Sequence, residues 1–138
     1  PTSEDIGCIT TLDIACKIVE RAEAMGIPGA DVIIDCLALT VGADSRAGLV
    51  TIEAIRRVKA SLGVNLTLGA SNISFGLPDR NLLNSAFLSI AIAMGVTCPV
   101  VDVAKVRPIV LAADLALGRD KYAMRYIKAY RQRQKANV

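Results

Sequence analysis

Histidine is absent from all 138 residues. Its absence excludes Ser-His and Cys-His nucleophile pairs, imidazole general bases and histidine-ligated metals together. Any chemistry must therefore rest on carboxylates, amides, hydroxyls, thiols, tyrosines, lysines or arginines. Cysteine is sparse, and Cys8, Cys16, Cys36 and Cys98 form no C-x-x-C pair. That spacing predicts free thiols, no metal site and no disulfide frame, in a reducing, cytoplasmic setting. Long apolar runs are missing as well: "DVIIDCLALTVG" is broken at Asp35 and Gly42, well short of the ~20 residues of a membrane span. The opening "PTSEDIG" has neither the charged start nor the apolar stretch of a signal peptide. Neither G-x-G-x-x-G nor Walker A spacing occurs in "LGASNISFGLP", which disfavours a nucleotide cradle.

What is present is an apolar chain, 53% hydrophobic with mean hydropathy +0.46, enough for the buried core of one domain. The net charge of +3 is unevenly spread: Arg119 to Lys135 holds seven basic residues against Asp120 alone. A solvated terminal helix is the favoured reading of that run, ahead of contact with nucleic acid or a membrane. Tyr122, Tyr126 and Tyr130 recur every four residues in it, a stripe that fits docking of the last helix better than base stacking.

Periodicity divides the rest. "TTLDIACKIVERAEAMG" places Leu12, Ala15, Cys16, Val19 and Ala22 on one helical face, with a capping-box-like start at Thr10 and Asp13 and a stop at Gly26. "DVIIDCLAL" is a continuous apolar run of strand length, predicting a strand buried on both faces. A second helix repeats Ile52, Ile55, Val58 and Leu62 and ends at Gly63. "NLTLG" then reads as a strand, Asn81 to Met94 as a helix stopped by Gly95, and "CPVVDV" as a third strand. Helices over Arg107 to Leu117 and Asp120 to Gln134 follow. Such alternation predicts an α/β fold built from right-handed βαβ units on a parallel sheet.

Each predicted strand ends near polar side chains: Asp35, then Ser71 and Asn72, then Asp102. Parallel α/β folds bind ligands outside the carboxyl ends of their strands, so these residues are expected at one site. An amide such as Asn72 donates and accepts hydrogen bonds without titrating, which suits a heterocyclic nitrogen whose protonation changes. A carboxylate such as Asp35 matches the donor-rich edge of an aminopyrimidine, and nearby glycines let backbone approach a flat ring. Three strands make neither a doubly wound sheet nor a whole (β/α)8 barrel of ~250 residues, so part of a larger fold is expected.

At "GASNISFGLPDRNLLNSAFLSIAIAMG" and "DVIIDCLAL" the sequence resembles the pterin-binding methyltransferase family, a group that includes the methyltetrahydrofolate:corrinoid/iron-sulfur protein methyltransferases. The resemblance runs over nearly the whole chain and is least distinctive from about Lys105 onward. It implies that residues 1–138 are the C-terminal half of a (β/α)8 TIM barrel, about strands six to eight with their helices. It further implies transfer of the methyl group of 5-methyltetrahydrofolate to the cobalt(I) of cobalamin carried by a partner corrinoid protein. By resemblance, Asn72 is the catalytic amide and Asp35 the pterin anchor, with Gly69, Ser71, Ser74, Arg80 and Asp102 as further pterin or folate contacts. A homodimer or a missing N-terminal half is expected to close the open sheet edges.

Other uses of these residues stay open. Asn72 also suits a turn, Ser71 and Ser74 suit loop shaping, and Asp102 suits a helix N-cap. Arg80 fits either the anionic glutamate tail of a folate or a cap on its own loop. Asp44, Ser45 and Arg46 follow the first strand and fall near the mouth of such a barrel. A dihydropteroate synthase-like enzyme shares the expected aspartate, although "VDVAKVRPIV" does not match its lysine and arginine motifs closely. A non-catalytic folate-binding or corrinoid-docking component is a further alternative.

Overall fold

The structure, a computed structural model, describes the backbone of residues 3–136 and the side chains of 9–136. It divides into two compact units, one ending at Val101 and the other beginning at Asp102. The first unit contains helix α1 (Ser3–Ala24), strand β1 (Ile33–Asp35), helix α2 (Ala47–Leu62), strand β2 (Asn65–Thr67) and helix α3 (Arg80–Met94). The second contains α4 (Val103–Ala116) and α5 (Met124–Ala136). The chain is thus α/β, mostly helical, with parallel strand pairing.

β1 and β2 pair in parallel, with Ile33 opposite Asn65, Ile34 opposite Leu66 and Asp35 opposite Thr67. The third expected strand is reduced to a parallel bridge between Gly69 and Val100. Leu66 O receives the Thr97 and Cys98 N–H groups at 3.0 and 3.1 Å, and Leu68 O receives Val100 N–H at 2.9 Å. The Thr97 hydroxyl explains the short ladder: it accepts Leu66 N–H at 3.1 Å, occupying a donor that a backbone carbonyl would otherwise take.

Burial along β1 strictly alternates, which corrects the expectation of a strand covered on both faces. Val32, Ile34, Cys36 and Ala38 are buried, together with Leu66, Leu68 and Ala70 of the neighbouring segment. They share a core with Ala15 and Val19 of α1, Ala54, Ile55 and Val58 of α2, and Phe87, Leu88, Ala91 and Ile92 of α3. Ile33, Leu37, Leu39 and Val100 are 55, 69, 64 and 67% exposed. A continuous apolar run reports that both faces are greasy; it does not say that both are covered.

Helix α2 ends as expected, because Gly63 adopts φ +68°, a left-handed conformation that costs glycine little. Gly63 N–H returns to Lys59 O at 3.1 Å, while the Lys59 ammonium donates to the carbonyls of Gly63 and Val64. Helix α1 starts before Thr10 and Asp13, which lie inside it, so the expected capping box is not its start. The expected apolar face holds, with Ala15 and Val19 buried and Leu12, Cys16 and Ala22 half-buried.

In the second unit α4 begins four residues earlier than the predicted Arg107. Asp102 caps it by accepting Ala104 N–H at 3.1 Å, and Pro108 sits inside rather than at the first turn. The predicted last helix is split, with Asp120 ahead of a 3-10 turn over Lys121–Ala123. The buried Asp120 carboxylate accepts Arg125 and Tyr126 N–H groups at 3.1 and 2.9 Å and so caps α5. Burial alone would raise its pKa, but those backbone bonds and the Arg125 charge outweigh it and hold the carboxyl below its ordinary value. The expected tyrosine stripe docks α5 only in part: Tyr122 is 83% exposed and Tyr130 is exposed too, Tyr126 is half-buried, and the fully buried residue of α5 is Ala129. Cys16, Cys36 and Cys98 are free thiols, and the Cys8 side chain lies outside the described residues. Among the described residues no helix is long and apolar enough to cross a membrane.

Candidate active site

Parallel register puts the carboxyl ends of β1 and β2 at the same edge of the sheet. Asp35 closes β1 on the exposed face, and its Oδ1 accepts Leu37 N–H at 2.8 Å. The bond fixes the carboxylate while the chain turns through Leu37 at φ +49°. Neighbouring Cys36 points into the core; burial, with a smaller push from the Asp35 charge, raises its thiol to about 11. That thiol stays protonated near neutrality and is no nucleophile.

After β2 the chain enters a 3-10 turn, Ala70–Ser74, with Ala70, Ile73 and Ser74 buried. These anchors leave Ser71 and Asn72 exposed at its crest. Asn72 N–H bonds to Gly69 O and Phe75 N–H to Asn72 O, each at 3.1 Å. Among the described residues the Asn72 carboxamide itself has no hydrogen-bond partner. Its Nδ2 lies 3.1 Å from the point a β-carbon on Gly69 would occupy, so the side chain folds back over that glycine.

The loops that follow the two strands are stitched together. Thr40 Oγ1 donates to Phe75 O at 2.8 Å, and Val41 N–H donates to Ile73 O at 3.0 Å. The structure therefore brings the loop that starts at Asp35 against the turn that carries Asn72. Thr51 fastens the same loop to α2, its buried hydroxyl lying 3.0 Å from Ala47 O and 3.3 Å from Leu37 O.

Arg80, the first residue of α3, turns back onto the 3-10 turn. Its Nε donates to Ser74 Oγ and its Nη2 to Ser71 O, both at 3.0 Å, with the guanidinium carbon 5.8 Å from the Phe75 ring centre. Asp44 accepts Arg46 N–H at 2.8 Å and its carbonyl accepts Ala47 N–H at 3.0 Å, so it shapes the approach to α2. With Arg46, Leu39, Thr40 and Val50 it lines a groove beside that loop, while Ser45 is exposed. Asp102 belongs to the second unit. Thr40 and Thr51, whose hydroxyls tie the site loops, carry no local mark in the sequence, since their partners lie 35 and 14 residues away.

The profile of the family described as "Pterin binding enzyme" matches residues 12–102. This chain belongs to the pterin-binding enzyme family. Among curated relatives it is 29% identical over 126 residues to the methylcorrinoid:tetrahydrofolate methyltransferase of Eubacterium limosum, covering 88% of this chain and 46% of that protein. It is 35% identical over 120 residues to the methionine synthase of Mycobacterium leprae (strain TN), covering 78% of this chain and 10% of that protein. With the methionine synthase of Mycobacterium tuberculosis (strain ATCC 25618 / H37Rv) the identity is 38% over 109 residues, covering 68% and 9%. The chain thus spans about half the length of the first relative and about a tenth of the other two.

Proposed function

We propose that this chain carries the pterin-holding strand ends of a methyltransferase that moves a methyl group between a tetrahydrofolate and the cobalt of a corrinoid protein. The observation that carries the reading is the Asn72 carboxamide, exposed at the same sheet edge as the Asp35 carboxylate and without a hydrogen-bond partner among the described residues. These groups fit a pterin: Asp35 accepts from the amino and ring N–H donors of the pyrimidine edge, and Asn72 meets the ring nitrogen that bears the methyl group.

In the forward direction the bond between that nitrogen and its methyl breaks, the electron pair stays on nitrogen with a proton, and the methyl goes to cobalt(I). The corrinoid, held by a partner, supplies the strong nucleophile. Asn72 contributes by favouring the protonated nitrogen, and its stabilisation grows as the bond breaks. The same contact serves the reverse direction, which the name of the Eubacterium limosum relative describes.

The architecture proposed is part of a (β/α)8 barrel. The exposed apolar face of Ile33, Leu37, Leu39 and Val100 is what strands lining a closed interior present. The remaining strands come from a second copy or from further polypeptide N-terminal to this sequence, and native mass spectrometry of the chain separates dimer from monomer.

In the completed barrel, calorimetric titration with methyltetrahydrofolate tests the site. Binding that weakens at least ~10-fold in Asp35→Ala is expected, because the pyrimidine donors lose their charged acceptor. Tight binding that ignores Asp35 contradicts the reading. Binding with no transfer to cob(I)alamin moves a dihydropteroate synthase-like or non-catalytic role forward.

A further inference from the structure

Resting on that reading, we infer that Gly69 and Arg80 are positioning residues for the Asn72 carboxamide, one making room for it and the other locking the turn that carries it. Neither role requires contact with folate.

Two observations support this. Arg80 spans the turn with its planar fork: Nε binds the hydroxyl of fully buried Ser74 and Nη2 the carbonyl of Ser71, the two residues that bracket Asn72 and Ile73. Ser74 Oγ also lies 3.3 Å from Ser71 O, so guanidinium, hydroxyl and carbonyl form one closed set of hydrogen bonds. A charged donor on two acceptors is stronger than a neutral bond, and the guanidinium edge so engaged is taken from a substrate carboxylate. Gly69 supports the side chain from beneath. Its φ of −77° suits any residue, so backbone freedom does not explain the glycine. The obstacle to a larger residue is Asn72 itself, whose Nδ2 and Cγ lie 3.1 and 3.5 Å from where a β-carbon would stand.

The test has two arms. Hydrogen exchange of the Asn72 and Phe75 amides is measured in this chain as wild type and Arg80→Ala, with α2 amides as the control for global folding. Exchange at least ~10-fold faster at those two amides, with α2 unchanged, is expected for a locally released turn. Unchanged exchange overturns the lock.

In the completed barrel, Arg80→Ala and Gly69→Ala are expected to lower kcat for methyl transfer ~10- to 100-fold, as small misplacements of a reacting group do. Folate Kd should stay within ~2-fold, and Arg80→Ala should add less than ~2-fold to the loss already caused by Asn72→Ala, because it acts through that residue. Additive losses, or a Kd that rises in Arg80→Ala most for polyglutamyl folates, overturn the inference and make Arg80 a tail contact. If the wild-type barrel neither binds nor transfers, the proposed function falls, and the exchange measurement still judges the lock by itself.

Discussion

The two faces of β1 both carry large apolar side chains, yet they meet different fates. Val32, Ile34, Leu66 and Leu68 are buried beside residues of α1, α2 and α3, whereas Ile33, Leu37 and Val100 stand in solvent. Apolar composition therefore indicates what a face is suited to, and the surrounding elements decide what it does. The covered face holds the strands in register; the open face and the sheet edge above it present the polar groups to which a function is assigned.

The largest effect should come from the covered face. Leu66 is fully buried in the middle of β2, so Leu66→Ala should cost about 2–5 kcal/mol, read as a lower urea midpoint. A loss under about 1 kcal/mol would mean that this face is as loosely packed as the other. Next comes Thr51→Val, which removes the hydroxyl joining α2 to the loop after β1 and should cost about 1 kcal/mol. Smaller again is Leu37→Ser on the open face, within about 0.5 kcal/mol in this chain. In a completed barrel the same change should cost about 1.5–3 kcal/mol, so comparing the two contexts asks directly whether the open face becomes an interior.

The smallest effect lies on the outer surface of α2. Hydrogen bonds from Arg56 and Arg57 hold the Glu53 carboxyl at about 2, below its ordinary 4.5. The folded pKa is the lower one, so the stabilisation is complete above about pH 4.5 and is lost as pH falls through 2. Solvent screening of this surface cluster keeps it small. The urea midpoints of wild type and Glu53→Gln should therefore converge as pH falls across that window.

Much of this architecture was legible in the sequence. The helical spacing of Ile55 and Val58, the stops at Gly63 and Gly95 and the order of β1, α2, β2 and α3 follow from local signals that tertiary packing reinforces. Other features depended on partners that spacing does not reveal. The helix expected from Arg107 instead starts at Val103, where Asp102 caps it. The Thr97 side chain takes a ladder position and shortens the third strand to a bridge. At the site, the Ser-Asn motif and Asp35 were visible as residues, and the family match covers both. For Arg80 the sequence leaves two uses open, and nothing in its spacing reveals that its fork closes on Ser71 and Ser74.

The most direct test of the central claim is single-turnover methyl transfer from methyltetrahydrofolate to cob(I)alamin, followed by visible absorbance, for the completed barrel as wild type and Asn72→Ala. A rate lower by ~100-fold, equivalent to about 2.7 kcal/mol of transition-state stabilisation, with folate affinity nearly unchanged, is the predicted result. Equal rates in the two proteins would contradict the assignment of Asn72 as the catalytic amide.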